Sequence, residues 1–249
     1  MGGRRNLKLI LEYDGTGYRG WQRQKNVPTI QEVLEEALYR LTGEAIRVIG
    51  SGRTDAGVHA LAQVANFHTA SSLPLSAFLK GFNSLLPPDI AVLEVSEAPG
   101  DFHARRAARA KTYHYRIFNR PIRSPLNRRY SWWIPYPLNL EAMQEAAAAL
   151  LGEHNFQAFQ ASGSSVQNQV RRVLHAAWER TPGDLLVFAI TATGFLRGMV
   201  RSLVGTMVEI GKGRRTPQDL KEVLETGERR RVGPTAPPQG LFLVEVLYK

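Results

Sequence analysis

The chain has 249 residues, 43% of them hydrophobic, a length at which a folded protein buries roughly three quarters of the surface its unfolded chain exposes. No run approaches the roughly 18 apolar residues of a membrane-spanning helix, and the absence of cysteine excludes disulfides, thiolate catalysis and the cysteine-based zinc sites. A formal charge of +10, from 32 basic against 22 acidic residues, points to a polyanionic partner.

Residues 1–10 lack the apolar core and cleavage site of a secretory signal, so the expected location is cytoplasmic. The first half then reads as a strand over 7–13, an amphipathic helix over 29–41 and a strand over 46–49, with Glu32 completing a capping box on Thr29. A strand over 60–67, a helix over 75–85 ended by Pro87-Pro88 and a strand over 90–95 follow. The order is β-α-β-β-α-β.

After a linker near 97–110 the rhythm returns with larger insertions. Strands are expected over 112–118, 170–178, 185–191 and 241–248, and helices over 140–151, 196–210 and 219–225. The expected class is α+β: two ferredoxin-like (RRM-like) units, 1–100 and 101–249, joined by a mainly antiparallel sheet with a catalytic groove between them.

Gly50-Ser51-Gly52-Arg53-Thr54-Asp55 opens like a dinucleotide fingerprint, but Asp55 stands where the third glycine should be and a strand follows where a helix is required. Gly-Lys-Ser/Thr is absent, which removes the phosphate-loop reading. Two readings of Asp55 remain. It is a reactive carboxylate with Arg53 as its neighbouring cation, able to attack a sugar carbon or take a proton, or it is an ordinary turn residue before Ala56-Gly57.

Of the 32 basic residues 25 are arginine, whose planar guanidinium grips phosphates and stacks on bases. Nine basic residues, among them Arg105, Arg106, Arg109 and Lys111, face a single acid between Asp101 and Ser131, an electropositive footprint. Alternation along residues 111–117 puts Lys111, Tyr113 and Tyr115 on one strand face, either as a platform for bases or as core tyrosines. Arg197 and Arg201 share a helix face near its positive end, and call for a phosphate or carboxylate, or for a surface salt bridge. Trp21 in Gly20-Trp21-Gln22 is either an RNA contact or a buried lid. The six histidines show no close metal-binding spacing. A hydrolase pairing Asp55 with Asp14 or Glu12, and an RNA-binding module without activity, are the rival readings.

Taken together, the segments resemble the TruA family of tRNA pseudouridine synthases. The likeness runs through Tyr13-Asp14-Gly15-Thr16, Gly20-Trp21-Gln22, Gly52-Arg53-Thr54-Asp55-Ala56-Gly57-Val58-His59-Ala60, Asn83 with Leu86-Pro87 and Asp89-Ile90, Phe102-His103-Ala104-Arg105, Lys111-Thr112-Tyr113-His114-Tyr115, Phe195-Leu196 with Met199-Val200-Arg201, and Gly240-Leu241-Phe242-Leu243-Val244. The loop over 161–171 departs from it by lacking a proline before Val170-Arg171. The resemblance implies the pseudouridine synthase fold, Asp55 as catalytic nucleophile or base, Arg53 as its partner in base flipping, Tyr113 stacked on the target uracil, Arg201 as a charge partner of the aspartate and Leu241 packed beside the flipped base. It further implies a homodimer acting on uridines 38 to 40 of the tRNA anticodon arm, with no cofactor, no metal and no membrane.

Overall fold

In the computed structural model, which describes residues 4–163 and 166–248, the chain divides into two compact units, Met1–Arg109 with Leu243–Lys249, and Ala110–Phe242. The first contains β1 (Arg5–Tyr13), α1 (Ile30–Thr42), the two-residue β2 (Ile49–Gly50), β3 (His59–Thr69), α2 (Leu75–Leu85) and β4 (Ile90–Ala98). Its strands lie in the order β4-β1-β3 with β2 also on β3, every pair antiparallel. This is the split β-α-β arrangement of a ferredoxin-like unit. Leu7, Leu9 and Leu11 alternate onto one buried face of β1, and Phe67 meets Phe78 and Phe82 of α2 at ring separations of 5.8 and 6.3 Å. Asn83 clips α2 to β4 by donating to the Val92 carbonyl and accepting from the Val92 amide.

Two local expectations fail here. The Thr29 side chain makes no cap hydrogen bond, and its buried hydroxyl lacks a partner among the described residues. The first amides of α1 are taken by backbone carbonyls instead, Ile30 N by Gly20 O and Gln31 N by Trp21 O, while Glu32 is drawn to Arg23 at 3.4 Å. The strand expected over 46–49 shrinks to Ile49–Gly50 because α1 side chains take the backbone of Val48: Glu35 accepts from its amide and Gln31 donates to its carbonyl.

The second unit contains β5 (Ala110–Asn119), β6 (Trp132–Ile134), α3 (Leu140–Ala148), β7 (Gly152–Asn155), β8 (Val170–Thr181), β9 (Leu185–Ala192), α4 (Met199–Gly211) and α5 (Pro217–Thr226). β10 (Leu241–Leu247) begins in this unit and passes at Leu243 into the first, where it lies beside β3. Strands β5-β9-β8-β7 are antiparallel neighbours, and β6 adds in parallel to the end of β5. Gly183 and Asp184, both with positive φ, turn β8 into β9 with the twist a tight hairpin demands. The short β6 and β7 carry too few residues to show an alternation, and neither was expected from sequence.

The α+β, mainly antiparallel class read from sequence is the class observed. The compact units do not coincide with a division at 100/101, because the segment after Gly100 is tied to the first unit. Asn6 and Asn66 both donate to the Phe102 carbonyl, Ala104 N donates to Asn66 Oδ1, and Arg109 N donates to Leu247 O. Among the described residues no helix is long and apolar enough to cross a membrane. Met1–Gly3 of the N-terminal stretch, and Ser164 and Ser165 of the 161–171 loop, lie outside the described residues.

Candidate active site

Asp55 sits half-buried in the loop between β2 and β3, and the loop is held from below by a buried polar network. Ser51 Oγ donates to Gln63 Oε1 at 2.6 Å, Gln63 Nε2 donates to Gly52 O at 3.1 Å, and Tyr13 OH shares a hydrogen bond of 2.9 Å with Thr54 Oγ1. Burial pushes the Tyr13 phenol up to about 12, against the opposing hydrogen bonds from Thr54 and Gln63, so it stays protonated at neutral pH. On the other side Trp21 N donates to Thr54 O at 3.1 Å, and Gly57 N to Tyr18 O at 3.3 Å. The turn itself is closed by Val58 N donating to the Asp55 backbone carbonyl at 3.1 Å, with Gly57 at φ +75. Both flanks of the aspartate are therefore fixed by groups that have left water, the condition for a preorganised catalytic residue.

The glycines around this loop provide close approach. Gly20, at φ +91, lies so near the loop that a Cβ there would stand 2.4 Å from Thr54 O. Gly50 seats the Trp21 indole, whose ring atoms would be 2.5 Å from any Cβ. Trp21 is 2% exposed and tilts against Tyr13 at 6.3 Å, which settles it as a core residue and removes it as an RNA contact. Arg53 is exposed, and the hydrogen bond that fixes its guanidinium runs to Gln22 Oε1 at 3.1 Å.

The carboxylates of the hydrolase reading are otherwise disposed. Asp14 accepts from Thr16 N and Thr16 Oγ1 at 2.9 and 2.5 Å and lies 3.1 Å from Nδ1 of the buried His59, so it organises the turn after β1. Glu12 alternates with Tyr13 along β1 and is exposed on the opposite face. Tyr18 donates to Asp89 Oδ1 at 2.6 Å, and burial, reinforced by Asp89 and Asp14, raises its phenol well above the ordinary range.

In the second unit, Tyr113 of β5 is 7% exposed and meets Phe195 edge-on at 4.9 Å. Lys111 lies on the same strand, half-buried. Tyr115 is fully buried with its hydroxyl donated to Pro237 O at 2.8 Å, so the expected platform of tyrosines loses this member to the core. Burial raises the Tyr115 phenol far above its ordinary value, partly offset by the Arg201 guanidinium nearby. Arg201 Nε donates to Ala236 O at 2.7 Å, and Ala236 N returns a bond to the Arg201 carbonyl. Arg197 does not share a helix face with Arg201: α4 starts at Met199, after Gly198 at φ +73, and the Arg197 carbonyl accepts from Ala161 N. Leu241 opens β10 at 6% exposure, and Arg105 is exposed in the first unit.

The chain matches the family model described as tRNA pseudouridine synthase over residues 9–105 and 146–249. It is 52% identical to tRNA pseudouridine synthase A of Myxococcus xanthus, covering 98% of this chain and 92% of that one. It is 46% identical to the protein of that name from Thermoanaerobacter sp. (strain X514), over 98% of this chain and all of the other. This chain belongs to the tRNA pseudouridine synthase family. Among solved structures, a Cbf5-Nop10-Gar1 complex is similar at a TM-score of 0.39 and 13% identity, covering 95% of this chain and 48% of that one, too distant to bear on the assignment.

Within this synthase, Arg53, Asp55, Arg105, Arg201 and Leu241 fall in the matched regions, and Lys111 and Tyr113 in the stretch between them. Sequence reasoning missed Gln63, which is fully buried and touches three residues of the Asp55 loop and its support. Its signal was present: like Asn66 on the same strand, a primary amide set among apolar residues of β3 implies a buried polar partner.

Proposed function

We propose that this synthase isomerises uridine to pseudouridine at positions 38, 39 and 40 of the tRNA anticodon arm, acting as a cytoplasmic homodimer without a cofactor. The observation that carries the reading is the Asp55 loop, in which the family's Gly-Arg-Thr-Asp-Ala-Gly-Val-His stretch is locked between Tyr13, Gln63 and Gly20. The target uridine is taken out of its stack. The bond from N1 to C1′ breaks, the uracil turns, and C5 bonds to C1′, the proton leaving C5 as one is gained at N1. Asp55 carries this exchange, as a carboxylate able to attack C1′ or to take the proton. Arg53 assists flipping, Tyr113 stacks on the uracil beside Leu241, Arg201 balances the aspartate's charge, and Arg105 and Lys111 meet phosphates. One carboxylate suffices, because the leaving uracil is recaptured and needs no second acid as in paired-carboxylate glycosidases.

The test is Asp55→Ala and Asp55→Asn on unmodified tRNA. Pseudouridine formation should vanish in both while tRNA affinity stays within a few fold, and the RNA mass should be unchanged by the wild-type enzyme. Full turnover in either variant would sink the assignment. Mapping pseudouridines in total tRNA from a strain lacking the gene checks the positions.

A further inference from the structure

A cavity of about 370 Å³ opens in the second unit, lined by none of the residues given roles above, within the size range of small-ligand sites. Its lining includes Phe118, Arg123, Asn127, Arg128, Trp133 and Gln239. Residues 120–131 form an excursion from the end of β5 that returns as β6, parallel to β5 with Phe118 opposite Trp133. The excursion is pinned rather than loose. Asn119 donates to the carbonyls of Ile134 and Tyr136, Trp133 Nε1 donates to Arg120 O at 2.9 Å, and Ser131 Oγ donates to Asn127 O. Arg120 is occupied, its guanidinium over the Phe118 ring at 4.6 Å and 3.6 Å from Asp184. Arg123, Arg128 and Gln239 are different: all three line the cavity, and none has a hydrogen bond or ion pair among the described residues.

Two guanidiniums without a partner, a partly exposed indole and an amide facing one small cavity form a chemical set with one natural occupant. Guanidiniums grip a phosphate, an aromatic face takes a base without regard to its identity, and an amide can read a base edge. We propose that this cavity is a second nucleotide subsite, holding one unpaired nucleotide of the RNA substrate other than the uridine that is isomerised. Arg123 and Arg128 bind its phosphate, and Trp133 stacks on its base. The proposal rests on the reading of the chain as acting on tRNA. A second copy of the chain is the competing occupant, because the exposed Ile122, Leu126 and Tyr136 lie in or beside the same excursion.

The test is the double variant Arg123→Gln/Arg128→Gln in the full-length enzyme, whose exposed, unpaired side chains can be changed without disturbing the fold. Binding of unmodified tRNA is measured across a potassium chloride series, with particle mass by light scattering and pseudouridine formation at saturating tRNA in the same samples. The expected result is a dissociation constant raised about tenfold, a log–log salt slope shallower by about 1 to 2, unchanged mass and nearly unchanged turnover at saturation. Unchanged affinity overturns the proposal, and unchanged affinity with a reduced mass assigns the surface to a contact between copies. An equal loss in Arg40→Gln/Arg180→Gln, which removes the same charge from other exposed positions, also overturns it. Failure of the functional reading shows separately, as tRNA binding without pseudouridine formation by the wild-type enzyme.

Discussion

Gly20→Ala tests whether close backbone approach is what fixes the loop that carries Asp55. At φ +91 an L side chain is strained by about 1–2 kcal/mol. Its Cβ would also stand 2.4 Å from Thr54 O, inside the 3.0 Å that real Cβ contacts respect. The two backbones must therefore part by roughly half an ångström in an interior that does not yield freely. Separation weakens the bond from Trp21 N to Thr54 O, which contributes about 1 kcal/mol. The expected loss of stability is thus about 2–3 kcal/mol, a fall in Tm of roughly 5–10 °C for a chain of this size. Because Asp55 follows Thr54 directly, a displacement of roughly half an ångström should lower kcat/KM by about 10-fold with tRNA affinity retained. Gly17→Ala is the control, since a Cβ there meets nothing within 4 Å. Thermal unfolding and single-turnover pseudouridine assays read both quantities. Wild-type turnover in Gly20→Ala, or the same loss in Gly17→Ala, would refute the reasoning.

Two further outcomes follow from charge. The Glu44 carboxylate is held below the ordinary glutamate range, chiefly by the Thr69 hydroxyl and then by the amides of Ala70 and Ser71. A depressed value in the folded state means stability that is present above the unfolded value of 4.5 and disappears as pH falls through the folded one. Glu44→Gln should therefore cost about 1–2 kcal/mol at pH 7, with the gap to wild type closing below pH 4.5 in a series of thermal melts; an equal gap at pH 3 and pH 7 would contradict this. Replacing the exposed Arg105, Arg106 and Arg109 together by Gln should make the salt slope of tRNA binding shallower by up to about 3, and an unchanged slope would count against that patch as a phosphate contact.

What was legible in sequence was whatever depends on residues close together. α2 appears over Leu75–Leu85 as its apolar spacing and the following prolines require, and the hairpin between β8 and β9 turns at Pro182-Gly183-Asp184. What was not legible depends on a choice between a local and a distant partner. Thr29 and Glu32 carry the letters of a capping box, yet the carbonyls of Gly20 and Trp21 reach the helix amides first. Alternation places Tyr113 and Tyr115 on one face of β5 but cannot say which is covered, and Pro237, over a hundred residues away, takes the Tyr115 hydroxyl. Nothing in the letters around Gly20 and Gly50 tells of a close approach, and their use is to admit Thr54 and the Trp21 ring.

The same distinction bears on the chemistry proposed for Asp55. Local sequence offers three carboxylates, Glu12, Asp14 and Asp55, and by sequence alone Asp55 could pair with either of the others in a hydrolase. Structure separates them by what each already does. Glu12 points to the opposite face from Tyr13, whose hydroxyl meets the residue preceding Asp55, and Asp14 is spent on Thr16 and the His59 side of its turn. Glu12 is turned away from the loop, and Asp14, whose turn packs against Val58, is already engaged by Thr16 and His59. A glycosidic bond cleaved outright demands a proton for a departing group, whereas an isomerisation that returns the uracil to the same carbon does not. A single reactive carboxylate on an immobilised loop is therefore the arrangement expected of the isomerase and a poor one for the hydrolase. The immobilisation has its own logic: with one group carrying the exchange, the exchange is only as reliable as the position of that group, and buried bonds from Tyr13, Ser51 and Gln63 supply that position at no cost in water-exposed side chains.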